Sequence, residues 1–395
     1  MPHPMPNRRT FLASSAATLA ALPVAAGAAP APIDPDHPGR LAQGLVLSGG
    51  GARGAYQAGL VDYLRLSKQI PDGRPLAPYG IVAGTSIGAL NGYFVATGQY
   101  QLLRDLWYTI ADQDVIRLKP KYAKAADPDS GLGTRFAAAM RAVLSLRSND
   151  TGVIDGEHVR EWLARFIDPS RPVVMPFIFT VTNLTTQSPE FFYLVNTALT
   201  ASERQNAVTA IRITVGPNAV LREATPDLLI DALQASAAIP VAFDPVQLPA
   251  ASGGGTNAYV DGGVTANTPV GPARAAATRI DVVLLDPPFQ KTDYHNALEV
   301  GFGTFGAMQR RILVADLRAA YLETLGKRAI DSANTPQARA LAASLYDSDI
   351  FQIQPMDELP VGVIGFDDRD NIYKTFKLGF EDARRGFVPY AYDSD

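Results

Sequence analysis

The chain has no cysteine among its 395 residues. A disulfide framework, a thiolate metal site and a lipid-modified cysteine are therefore excluded. Histidine is scarce as well, with four in all: His3, His37, His158 and His295. Chemistry that needs a histidine base must draw on one of those positions. Charged residues make up 19%, with 35 Lys and Arg against 39 Asp and Glu and a formal net charge of −4. No basic stripe interrupts that balance, which argues against nucleic acid as a partner. No internal repeat is present, and the low-complexity stretches are the N-terminal region and Gly253-Gly254-Gly255.

The remainder is 47% hydrophobic, ordinary for a soluble globular protein. The length allows one large α/β domain or two smaller ones and is ample for a substantial core. The first residues stand apart. Asn7-Arg8-Arg9-Thr10-Phe11-Leu12 is a twin-arginine pattern, followed by an apolar, alanine-rich run over residues 12–26 and the small residues Ala26-Gly27-Ala28. The run is short, is interrupted by Pro23 and has no basic stop behind it, so residues 1–28 are expected to be a cleaved signal. Arg8 and Arg9 are the only Lys or Arg there and no acid is present, so cleavage would move the charge from −4 to −6. The mature protein is expected to be exported, periplasmic or secreted. Residues 29–41, rich in Pro and Asp, read as a linker.

Beyond the linker the pattern is α/β, a mainly parallel central sheet with helices on both faces. Gly44-Leu45-Val46-Leu47 is a short apolar run that stops at glycines, and Tyr56, Gly59, Leu60, Tyr63 and Leu64 follow at helical spacing. Ile81-Val82-Ala83 repeats the theme, with helix from Ser86 toward Gly98. Two strand-turn-helix units in succession imply parallel strands. Further strands are expected over residues 173–181, 191–194, 258–260 and 280–285, the last of these closing the sheet. Helices are expected over residues 134–146, 156–167, 226–237, 297–327 and 371–385. Residues 42–286 form the expected core, and 287–395 a mainly helical extension packed on it.

Three short stretches carry chemistry. Gly84-Thr85-Ser86-Ile87-Gly88 lies where a buried strand meets a helix. At such an elbow Ser86 is held in a strained conformation above the sheet, and Gly84 and Gly88 remove side chains that would clash. Read blandly, Ser86 is a helix cap. Gly49-Gly50-Gly51-Ala52-Arg53-Gly54 follows the first strand, and its N–H groups can face the same crevice and bind an oxyanion. The same spacing satisfies a dinucleotide fingerprint, leaving a nucleotide- or phosphate-binding reading of Gly49 to Gly54 open. That reading expects an acid at the end of the second strand, where Gly84-Thr85-Ser86 stands instead. Asp261, before Gly262-Gly263, lies 175 positions after Ser86, so only the fold can join them. Its carboxylate could take the serine proton; an Asp-Gly turn is the plain alternative. A conventional hydrolase needs a histidine after that aspartate, and only His295 qualifies. His158, near a helix start, reads as solvated. The sequence leans toward Ser86 activated by Asp261 directly, with the His295 triad as alternative.

Together these blocks resemble the patatin-like phospholipase family, which combines a Gly-rich oxyanion loop, a G-x-S-x-G elbow and a later D-G-G or D-G-A. Ala235-Ser236-Ala237-Ala238-Ile239-Pro240, continuing to Phe243 and Pro245, is similar to the family's A-S-x-A-x-P segment, and Asn267 and Pro269 fall where the D-G-G segment continues. Residues 379–383 look similar to a closing segment of some bacterial members. Ser48 departs from the acid many members carry before the glycines. The resemblance covers residues 42–286. It implies a three-layer fold, Ser86 as nucleophile, Asp261 as its base, and an oxyanion hole framed by Gly49, Gly50, Gly51 and Arg53. It further implies hydrolysis of esters of phospholipids or other acyl lipids, with no metal or cofactor. Between Asp112 and Arg135, Lys119, Lys121 and Lys124 read as a solvated surface loop, with a lid in transient contact with a membrane surface as the sharper alternative.

Overall fold

The computed structural model describes residues 41–391 except 113–114, 125–126, 128–129, 147–149, 196–200, 202–204, 206–207, 209–210, 213–214, 216–218, 289–296, 334 and 343–344. The expected signal, the linker up to residue 40 and His295 lie outside the described residues.

In chain order the first half runs β1 (Leu41–Leu47), α1 (Ala55–Ser67), β2 (Tyr79–Thr85), α2 (Ile87–Ala96), α3 (Tyr100–Thr109), α4 (Pro120–Ala123), α5 (Leu132–Leu146) and α6 (Gly156–Leu163). It continues through β3 (Phe177–Asn183), β4 (Ser188–Leu194), β5 (Val220–Glu223), α7 (Leu229–Ser236), β6 (Val246–Pro249), β7 (Thr256–Asp261), α8 (Val270–Ala276) and β8 (Ala277–Val283). The last stretch holds α9 (Ala297–Ser332), α10 (Pro336–Ala342), β9 (Asp349–Ile353), α11 (Arg369–Arg385) and β10 (Val388–Pro389). The sheet order is β10-β9-β8-β1-β2-β3-β4-β5, with β7 also on β3 and β6 on β7. The pairs β9–β8, β8–β1, β1–β2, β2–β3 and β4–β5 are parallel, so the sheet is mostly parallel.

Alternation along the strands builds three layers. Leu45 and Leu47, Val82, Phe177 and Phe179 face one side, packing with Tyr56 of α1, Tyr93 of α2, Trp162 of α6 and Phe376 of α11. Val46, Ile81 and Ala83, Ile178 and Ile280 face the other, against Ala273 of α8 and Leu313 and Leu317 of α9. The period of two in these apolar runs covers both faces of the sheet, as parallel strands require. The closest helix contact is α1 on α11. A methyl group placed on Gly379 would lie 1.9 Å from the Tyr56 carbonyl oxygen, and one on Gly59 equally close to that of Phe376. The Tyr56 hydroxyl donates to Asp382 at 2.8 Å across the same seam.

Several elements were not expected, among them β5, β6, α4, α8 and α10. The sheet does not end with the strand of residues 280–285: β9 pairs parallel with β8, and β10 antiparallel with β9. The segment after residue 286 therefore supplies strands as well as helices. β9 covers only Asp349–Ile353 and β10 only Val388–Pro389, too little alternation to read. α3 was not expected either, although its buried face of Leu103, Leu106 and Trp107 is helical in spacing.

Topology brings the two distant motifs together. β2 runs beside β3 until Thr85 faces Thr180. At the next position of β3, Val181 faces Asp261 of β7, which enters antiparallel along the edge that β2 has just left. The end of β2 and the end of β7 thus meet head-on.

Candidate active site

Ser86 stands between β2 and α2 with φ 56° and ψ −126°, a left-handed conformation costly for any residue but glycine. The elbow is tight enough to forbid side chains around it. A methyl on Gly84 would lie 2.3 Å from the Gly88 carbonyl oxygen, and one on Gly88 2.2 Å from that of Leu47. The Ser86 N–H donates to the Ser236 hydroxyl at 3.0 Å, and that hydroxyl donates to the Thr180 carbonyl at 2.7 Å. Thr85 ties the elbow to the loop after Asp261 by donating to the Ala266 carbonyl at 2.9 Å.

Asp261 is 1% exposed. Its carboxylate accepts from the Gly263 N–H at 2.7 Å, and its own N–H donates to the Ala238 carbonyl at 2.9 Å. Burial pushes its pKa up from 3.8 to about 6, against the neighbouring Ser86 hydroxyl and the Gly263 N–H, which lower it. The segment from Ala235 to Ala238 therefore holds both partners, Ser86 through Ser236 and Asp261 through Ala238.

The glycine loop lies across from them. Gly51 adopts φ +59°, and a methyl on it would strike the Val363 carbonyl oxygen at 2.1 Å. That oxygen accepts from the Ala52 N–H at 2.8 Å. The Gly49 N–H is given to the Asn267 carbonyl at 3.1 Å and that of Arg53 to Gly50 at 3.3 Å, so neither amide is open to a ligand. The Arg53 guanidinium pairs with Asp286 at 2.5 Å. The N–H groups of Gly50 and Gly51, and of Ile87 at the start of α2, have no acceptor among the described residues. Of the four residues expected to frame an oxyanion, Gly50 and Gly51 thus offer donors, Gly49 offers closeness to Ser86, and Arg53 braces the loop.

Beside Ser86 opens a pocket of about 1000 Å³ of empty space, its open mouth included. Its walls come from α2, α3, α6 and the C-terminal segment around Val363, Ile364 and Phe366, and are almost wholly apolar. Sequence reasoning missed these walls. It also missed Gln309 of α9: a methyl on Gly263 would lie 2.2 Å from Gln309 Nε2, 2.7 Å from Asn267 Oδ1 and 2.9 Å from Asp261 Oδ1. Asn267 Oδ1 is buried without a hydrogen-bond partner. Near the pocket, Lys119 pairs with Asp244 at 2.6 Å and Lys121 with Asp150, so two of the three loop lysines are already neutralised within the chain. Among the described residues, no group of His, Asp and Glu could hold a metal ion, and no helix is long and apolar enough to cross a membrane.

The family model for patatin-like phospholipases matches residues 45–274, which contain the glycine loop, the elbow, the 235–245 block and the Asp261 segment but not residues 379–383. The chain belongs to the patatin-like phospholipase family. It shares the family's three-layer architecture. Among solved structures it is similar to VipD from Legionella pneumophila, with 13% identity over 87% of this chain and 66% of that one and a TM-score of 0.34. The chain thus spans just under two thirds of VipD. Comparison with curated proteins finds no match.

Proposed function

We propose that this patatin-like protein cleaves carboxylic esters of phospholipids or other acyl lipids through a Ser86–Asp261 dyad. The observation that carries the reading is the strained Ser86 standing beside a buried carboxylate whose pKa is raised to about 6. A general base works best with a pKa near the working pH, and burial brings an aspartate there without a histidine. Ser86 Oγ attacks the ester carbonyl while its proton passes to Asp261. The N–H groups of Gly50 and Gly51, joined by that of Ile87, face the charge that develops on the carbonyl oxygen. The proton moves from Asp261 to the leaving alcohol or lysolipid, and the acyl group stays on Ser86. Water then gives its proton to Asp261 and attacks the acyl carbonyl, and the carboxylic acid departs as Ser86 regains its hydrogen.

In this reading residues 42–286 form the catalytic core, and the chain after 286 packs on it and completes the pocket. The N-terminal pattern supports export to the periplasm or beyond, and contact with the substrate membrane is transient. The test compares the mature protein with Ser86→Ala on a p-nitrophenyl fatty ester and on phospholipid vesicles. Fatty acid released from both by the wild type and from neither by the variant is expected. Retained turnover in Ser86→Ala would remove the serine from the mechanism. His295→Ala should keep near-normal turnover, and a collapse there would replace the dyad with a triad.

A further inference from the structure

The pocket has a direction. α2 starts at Ser86, and Ile87, Leu90, Asn91 and Phe94 on one of its faces line the cavity. At a rise of ~1.5 Å per residue, Phe94 lies roughly 12 Å along the helix from the nucleophile. α3 runs back beside it: Trp107 donates to Asn91 Oδ1 at 2.9 Å midway, which leaves Leu103 one turn earlier, toward the Phe94 end. α6 runs alongside in the direction of α2. Its first residue, Gly156, accepts from Gln234 at 2.6 Å, close in sequence to the Ser236 that holds Ser86. Past its far end, Tyr93 donates to the Asp168 carbonyl at 2.8 Å, joining the segment that carries Ile167 to the segment that carries Phe94. Three helices thus carry the cavity from the nucleophile to one deep end. There Phe94, Ile167 and Leu103 are all buried.

The lining is almost wholly apolar and offers little to a polar head group. Apart from Ser86, its polar side-chain atoms belong to Asn91, Gln234, Trp107 and Trp162, and the buried Trp162 indole N–H has no hydrogen-bond partner. The Asn91 amide is taken up by Gly54, Gln57 and Trp107, and the Gln234 amide nitrogen by Gly156. This is a site for hydrocarbon.

We infer that the pocket selects acyl chains of medium length, with Phe94, Leu103 and Ile167 as the floor that sets the limit. The inference rests on Ser86 being the nucleophile, since the chain is measured from its acyl carbon. An extended chain of roughly ten carbons spans the ~12 Å that α2 provides. Each methylene that enters apolar walls should raise kcat/KM about two- to fourfold. Methylenes beyond the floor find no wall and add nothing.

The experiment is a p-nitrophenyl ester series from four to sixteen carbons, all presented in the same mixed micelles, on wild type, Ser86→Ala, Phe94→Ala and Leu103→Phe. The readout is the ratio of kcat/KM for the sixteen- and six-carbon esters, which a partial loss of folded protein leaves unchanged. In the wild type, kcat/KM should climb to about ten carbons and then stop or fall. Phe94→Ala should raise the ratio about tenfold and Leu103→Phe should lower it, opposite shifts that a general loss of stability does not produce. A wild-type profile still climbing at sixteen carbons, or ratios unchanged in both variants, overturns the floor. Turnover that persists in Ser86→Ala overturns the catalytic reading itself, and the two failures are told apart.

Discussion

The substitution Asp261→Asn should make the protein inactive and, at neutral pH, more stable. A buried carboxylate with its pKa raised from 3.8 to about 6 holds its proton more tightly in the folded state than in the unfolded one. Below the unfolded value both states are protonated, and the group costs nothing. As pH rises through 3.8 the unfolded chain ionises first, and folding loses stability until the folded group ionises too, near pH 6. The gap of about two pKa units, at 1.36 kcal/mol each, makes the full loss about 3 kcal/mol. Asparagine keeps the shape, can still accept from the Gly263 N–H through its oxygen, and never ionises. Its stability advantage over the wild type should grow by roughly 2 kcal/mol between pH 4 and pH 8, the part of the titration that this window covers. Urea denaturation at a series of pH values measures it, and the other buried acids cancel because both proteins carry them. Parallel stability profiles would refute the reasoning, since the carboxylate would then titrate alike in the folded and unfolded states. A pH-independent offset added to that divergence would be harmless, because it reports packing and not ionisation.

Catalysis runs the other way: with Asp261 needed as carboxylate, kcat/KM should fall in acid with a midpoint at about pH 6, and a rate flat through that range would exclude it as the base. Ser86→Gly should be more stable than Ser86→Ala by about 1 kcal/mol, because only glycine relieves the backbone at φ 56°; equal urea midpoints would mean the elbow stores no strain. Gly379→Ala puts a methyl 1.9 Å from the Tyr56 carbonyl oxygen and should cost at least about 2 kcal/mol by parting α11 from α1, a loss that thermal denaturation would reveal.

What was legible in the sequence, and what was not, follows from where each constraint resides. Gly84, Gly88 and Gly51 could be read because backbone crowding, or in Gly51 a positive φ, excludes other residues there, and that exclusion is written in residue type. Asp261 could be read only as a candidate. Its pairing with Ser86 depends on β7 entering along the edge of β3 where β2 stops, a fact about register that no local pattern carries. Ser236 was visible as part of a familiar block, yet its task of holding the Ser86 N–H needs the fold to be seen. The pocket walls were hidden for a different reason. Phe94, Leu103 and Ile167 are apolar residues like any in the core, and a residue facing a cavity has the same composition as one facing another side chain. Gln309 and Val363 lie beyond residue 274, where the family match ends, and both come to the site from the C-terminal segment. The elbow and Asp261 thus lie in the shared part of the chain, while part of the pocket wall comes from the segment that follows it. Substitutions within residues 45–274 at the elbow or at Asp261 should therefore abolish turnover on every ester. Changes around Val363 to Phe366 should alter which esters are turned over, because those residues touch the pocket without touching the dyad.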